Sequence, residues 1–227
     1  MNADRPTFRE YEVRIPCPGA VLHGDVSIPA GATGLVIFAH GSGSSRLSPR
    51  NRRVAGEMHR NHLATLLFDL LTPDEAESEA NTGALRFNIP FLTERLVAAT
   101  RWAQRDESVG SLGIGYFGAS TGAAAALAAA AGIPEIQALV SRGGRTDLAG
   151  AAVERVKAPT LLIVGELDGP VVEWNEESFE RLPGVKELTL VSGATHLFSE
   201  PGALEEVAEL AASWFERHLT HIKTEGD

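Results

Sequence analysis

Short runs of β-branched and other apolar residues alternate with helical patterns along nearly the whole chain. Residues 35–39 are continuously apolar, as a strand covered on both faces should be. Similar runs predict strands at 64–70, 112–117, 138–141, 160–164 and 188–191. Two earlier runs, 11–15 and 21–28, are joined by only five residues from Pro16 to Ala20, too few for a crossover, so they predict an antiparallel hairpin. Eight strands are expected in all. Leu204, Val207, Ala208, Ala211, Phe215 and His218 recur at helical spacing after Pro201 and Gly202, and Leu92, Leu96, Ala99 and Ala103 form a second stripe. This alternation predicts an α/β fold: a mainly parallel sheet with helices on both faces. Residues 71–89, carrying Asp74, Glu75, Glu77 and Glu79, show little apolar periodicity and are expected to form a surface loop or partial lid. Between 141 and 160 there is room for one short helix, so no large cap domain is expected there.

Composition narrows the class of function. The 227 residues suit one α/β domain spanning 1–227, with an ordinary 44% hydrophobic and 22% charged content. A formal net charge of −10 argues against a nucleic-acid partner, which would call for a positive face. Cys17 is the single cysteine, so neither an intramolecular disulfide nor a thiolate metal cage is expected, and a reducing compartment is the natural reading. The opening residues are polar and no apolar run approaches the ~20 residues of a membrane span, so a cytoplasmic protein without a membrane partner is expected.

The chemistry concentrates where strands end. Gly118, Ala119, Ser120, Thr121 and Gly122 spell G-x-S-x-G between a buried strand and an alanine-rich helix, the context of a nucleophile elbow. Ser120 is the candidate nucleophile, and the N–H of Thr121, at the helix start, is an expected oxyanion donor. The second donor is expected from the loop His40-Gly41-Ser42-Gly43-Ser44-Ser45, at the N–H of Ser42. A serine hydroxyl needs a base, and in this fold the partners follow in the order Ser, Asp or Glu, His. His196 follows the last strand, whereas His218 and His221 lie on or beyond the terminal helix and suit its C-terminal dipole. Asp168 follows the strand at 160–164 and is favoured as the acid over Glu166, being shorter and next to Gly169 in a turn. Asp69 is its nearest rival.

These residues, the His40-Gly41 loop, the 118–122 elbow, Asp168 in Gly165-Glu166-Leu167-Asp168 and Gly193-Ala194-Thr195-His196, resemble the α/β-hydrolase superfamily, above all its compact dienelactone-hydrolase-like branch. The resemblance covers roughly residues 21–219 and implies an acyl-enzyme mechanism on a small-molecule ester, with no metal or organic cofactor. Dienelactone hydrolases proper carry a cysteine at the elbow, where this chain has Ser120, so the resemblance implies general carboxylic-ester hydrolysis rather than the lactone substrate. The region from His40 through Arg53 and the surroundings of Ser120 also look like hydrolase domains that are joined in some proteins to phosphoribosyltransferase domains; no second domain is expected in this chain. An acyltransferase on the same triad and a silent ligand-binding protein of the same fold are the alternative readings.

Other signals are weaker. His59 and His62 lie three residues apart near a helix end, but no third ligand is evident. The glycine-rich loop lacks the lysine of a P-loop. Arg46, Arg50, Arg52 and Arg53 form a basic cluster that is either a solvated helix face or an anion-binding rim. Arg142 and Arg145 follow a strand whose carboxyl end opens on the Ser120 cleft, where arginine can clamp a carboxylate or phosphate; pairing of an arginine with Asp147 is the alternative.

Overall fold

A computed structural model describes residues 8–219. Its centre is an eight-stranded sheet in the order β1-β2-β4-β3-β5-β6-β7-β8. The strands are β1 (Phe8–Cys17), β2 (Ala20–Pro29), β3 (Gly34–Ala39), β4 (Leu63–Phe68), β5 (Gly113–Ala119), β6 (Ile136–Arg142), β7 (Thr160–Gly165) and β8 (Lys186–Val191). β1 and β2 form the expected antiparallel hairpin, and β2 is antiparallel to β4. All other pairs are parallel. This is the α/β-hydrolase architecture, and no large cap domain interrupts it among the described residues.

Helices cover both faces because the buried strands are apolar on both. On one side lie α1 (Pro49–Arg60) and α6 (Ala203–His218), which pack Val54, Met58, Val207, Ala211 and Phe215 against Val36, Phe38, Phe117 and Val140 of the sheet. α6 lies closest over the middle of the sheet, where a Cβ on Gly115 would come within 2.7 Å of the Phe215 ring. On the other side lie α3 (Ile89–Ala103), α4 (Thr121–Ala130), α5 (Gly169–Arg181) and a 3-10 segment, Thr146–Arg155. That segment is the one short helix expected between 141 and 160. Among the described residues no helix is long and apolar enough to cross a membrane.

The stretch 71–89 departs from expectation. Most of it is a helix, α2 (Pro73–Thr82), opened by a capping box in which Thr72 Oγ1 accepts from the Glu75 N–H and Glu75 Oε2 accepts from the Thr72 N–H. Glu75 also binds Arg95 of α3 at 2.8 Å. The one residue that α2 buries is Glu79, so apolar periodicity could not have revealed it. Its helix-start signals were nonetheless in the sequence: Thr-Pro-Asp-Glu is a cap, a proline at the first turn and an acid at the third position.

Candidate active site

The order of the sheet reverses around β3 and β5, so the loops leaving their carboxyl ends diverge and leave a crevice. Ser120 stands there at the end of β5, with φ 51° and ψ −121°. A non-glycine residue in that region is strained and persists only when its surroundings hold it. Here they do: the Ser120 N–H donates to Arg142 O at 3.1 Å, and Ser120 O accepts from the N–H groups of Ala123 at 3.0 Å and Arg145 at 3.1 Å. Gly122 makes the turn possible sterically, since a Cβ there would lie 2.6 Å from His40 O and collide with Ala39 O.

Two further loops bring the remaining candidates. Asp168 stands at the N-cap position of α5, its side chain free of any capping bond, His196 follows β8, and His196 Nδ1 lies 2.7 Å from Asp168 Oδ2. Glu166, which the sequence offered only as a rival acid, instead braces the histidine loop: its Oε2 accepts from the Gly193 N–H at 2.8 Å and Ser192 Oγ at 3.0 Å. Those bonds hold its carboxyl below the usual range. Glu200 accepts from Thr195 Oγ1 at 2.6 Å on the same loop.

The glycine-rich loop after β3 is fixed from beneath by His40. Burial keeps this imidazole below its ordinary pKa, and a neutral ring matches its contacts. Nδ1 donates to Gly41 O at 2.9 Å, while Nε2 accepts from the Leu70 N–H at 3.0 Å. The Ser42 N–H donates to Thr121 Oγ1 at 3.0 Å, so it is engaged by a hydroxyl beside the elbow. The Thr121 N–H, at the first position of α4, has no intrahelical acceptor.

A cavity of about 280 Å³ begins at this loop. Gly41, Ser42 and Thr121 form its polar end, while Leu70, Leu71, Ala76, Ala80 and Leu92 give it an apolar wall. α2 supplies its roof, fastened where Glu79 accepts from the Arg86 N–H at 3.0 Å and Arg86 Nε at 2.8 Å. A larger cleft of about 600 Å³ lies between α1 and the antiparallel strands, among Asp25, Arg46, Arg52 and His59. Neither space is lined by Ser120 or His196; the smaller one reaches the elbow through Thr121.

The profile of the dienelactone hydrolase family matches residues 69–226. The chain belongs to this family. A crystal structure of dienelactone hydrolase from Anabaena variabilis superposes with a TM-score of 0.91 at 54% identity, covering 93% of this chain and 99% of that one. The esterase domain of a Rhodothermus marinus protein shares the fold, with a TM-score of 0.72 at 19% identity over 92% of this chain and 99% of that one. Two curated Mycobacterium tuberculosis proteins, provisionally named phosphoribosyl transferases, are 50% identical over 215 residues, which is 94% of this chain and 48% of each relative. The chain thus spans about half the length of these curated relatives.

Most of the other sequence candidates are engaged with partners of their own. Asp69 is occupied by Arg46, accepting from its N–H at 2.8 Å and its Nη1 at 2.6 Å. Arg145 pairs with Asp147 at 2.8 Å and lies over the Trp174 ring, so the alternative of an internal ion pair describes it. His59 meets Thr65 Oγ1 at 2.8 Å, and His62 meets Ala30 O at 3.0 Å. No group of three or more potential metal ligands occurs among the described residues. His218 packs on Trp214 at 4.5 Å between centroids, and His221 lies outside the described residues.

Proposed function

We propose that the protein is a serine hydrolase of small carboxylic esters, in which Ser120 attacks the carbonyl, His196 acts as base and Asp168 orients the histidine. The observation that carries this reading is the 2.7 Å contact between His196 Nδ1 and Asp168 Oδ2, on two loops at the same sheet edge as the strained Ser120 elbow. With Nδ1–H donated to the aspartate, Nε2 is left as the acceptor that can take the serine proton. Attack forms a C–O bond from Ser120 and places negative charge on the carbonyl oxygen, which the N–H groups of Thr121 and Ser42 receive. For this the Ser42 N–H turns from the Thr121 hydroxyl to the oxyanion. His196 then returns its proton to the leaving alkoxide, and water, deprotonated by the same nitrogen, releases the acid.

The size of the substrate follows from the cavity beside the oxyanion loop. About 280 Å³ with an apolar wall suits a short acyl or alkyl group. Acetate and butyrate esters should therefore be hydrolysed faster than long-chain esters. The deciding experiment is labelling with a fluorophosphonate followed by mass mapping. The adduct is expected on Ser120 and should vanish in Ser120→Ala, with turnover reduced at least ~10⁴-fold. Near-normal hydrolysis by Ser120→Ala would overturn the reading.

A further inference from the structure

Arginines in this acidic protein are generally spoken for. In the cluster after the oxyanion loop, Arg46 binds Asp25 and Asp69, Arg52 binds Asp25, and Arg53 binds Glu205. Arg50 and Arg142 are different. Arg142 is only 8% exposed, yet its Nε and Nη1 have no hydrogen-bond partner among the described residues. The buried Nε of Arg50 has none either. Neither guanidinium has a carboxylate within ion-pair distance among the described residues, and Arg50 lies close enough for its charge to act on Arg142. Burial, and then the charge of Arg50, push Arg142 down to about 10. Arg50 also stands in the first turn of α1, a turn without an acidic residue, where the helix dipole adds further positive potential.

A buried guanidinium that has no ion pair and a second positive charge nearby is unfavourable unless something negative joins them. A buried water can satisfy an N–H but cannot neutralise a guanidinium. We propose that Arg50 and Arg142 form a binding site for a small oxyanion, a carboxylate or phosphate group, at the carboxyl edge of the sheet beside the Ser120 elbow. Its place follows from the backbone. Arg142 O accepts from the Ser120 N–H, and a Cβ on the next residue, Gly143, would sit 3.4 Å from His196 Nδ1. The planar, forked donors of guanidinium match two oxygens of one anion, which a lysine would not do. The anion is either a part of the ester or a separate ion held behind the elbow. The site itself does not depend on ester hydrolysis; only the assignment of the anion to the substrate rests on the function proposed above.

The test has a binding arm and a substrate arm, both on the full chain. In low-salt buffer, sodium phosphate and sodium acetate are titrated against sodium chloride at equal ionic strength while thermal unfolding is followed. A saturable rise in Tm of about 3 °C or more is expected with the oxyanions. It should be lost in Arg142→Met and in Arg50→Met and kept in Arg52→Met, whose charge serves the Asp25 pair. Arg50→Met decides the matter if Arg142→Met does not fold. In the second arm, Arg142→Met should raise KM about tenfold for a nitrophenyl ester bearing a free carboxylate and leave a neutral ester of equal size unchanged. Phosphate competing with the anionic ester alone assigns the anion to the substrate; stabilisation without competition assigns it to a separate ion. No oxyanion-specific rise in wild-type Tm, or a rise kept in full by both Arg142→Met and Arg50→Met, would overturn the site. Failure to hydrolyse either ester would sink the hydrolase reading and leave the thermal arm to judge the site alone.

Discussion

The elbow and α2 face the same cavity but are held in place by different physics. Around Ser120 the constraint is packing: Gly122 touches the backbone of β3, the neighbouring amides and carbonyls of the turn are bonded across to β6 and α4, and Ala119 and Thr121 are buried. α2 has no such apolar anchor. It buries Glu79 alone, and its hold is the ionic grip of Glu79 on Arg86 at one end and of Glu75 on Arg95 at the other. Close packing resists displacement in every direction and is indifferent to salt or pH, whereas a charge-held helix yields to both. The elbow is thus set in a rigid wall while the roof of the cavity that begins at Thr121 can be loosened.

The sharpest test of the rigid side is Asp168→Asn. The amide cannot offset an imidazolium and favours the wrong tautomer, so turnover should fall about 10⁴-fold with the fold intact. Asp69→Asn, which disturbs only Arg46, should do far less; steady-state kinetics on one short ester compares the two. Gly122→Ala comes next. The added methyl meets backbone, which cannot swing aside, so a loss of about 1–3 kcal/mol in denaturant unfolding and at least ~10²-fold in kcat is expected. Unchanged kinetics would mean that the elbow is not packed as tightly as its contacts indicate.

On the yielding side the effects should be smaller and should appear in selectivity. Glu79→Gln frees the roof while leaving Ser120 in place, so activity on acetate esters should change less than ~3-fold and the disfavour against longer esters should shrink. Acid should mimic it. Burial alone would raise the Glu79 carboxyl, but the amides of Leu85 and Arg86 and the Arg86 guanidinium outweigh burial and hold it below its ordinary value of 4.5. Its contribution is therefore complete above that value and is lost as pH falls through the lowered one. Hydrogen exchange of residues 73–88 should speed up in that acid window before the central strands respond. Simultaneous loss of protection in both regions would erase the contrast between them.

What was legible in the sequence follows the same division. All eight strands and the elbow could be read because buried strands are continuous apolar runs and because a turn as tight as Ser120 demands glycines around it. Asp168 and His196 could be picked out by their place after strands. Glu166 could not be understood that way, because its role lies in the amides of a loop that only the fold brings near. α2 was hidden for a related reason, its buried face being a carboxylate whose partner is an arginine beyond the helix end. Arg50 and Arg142 were each legible in sequence as possible anion binders, but that their buried guanidinium nitrogens lack partners among the described residues is a fact of tertiary structure alone.

The docking of Phe215 over Gly115 has a consequence for the growing chain. β3, β4, β5 and β6 all leave the ribosome before α6 exists, so Val36, Phe38, Phe117 and Val140 form a greasy furrow with its filler still unsynthesised. Until α6 arrives, that furrow is a natural landing place for a chaperone or for another nascent chain. Substitutions that weaken the seat of α6, such as Phe215→Ala, should accordingly show first as poor soluble yield at high expression rather than as a slower enzyme.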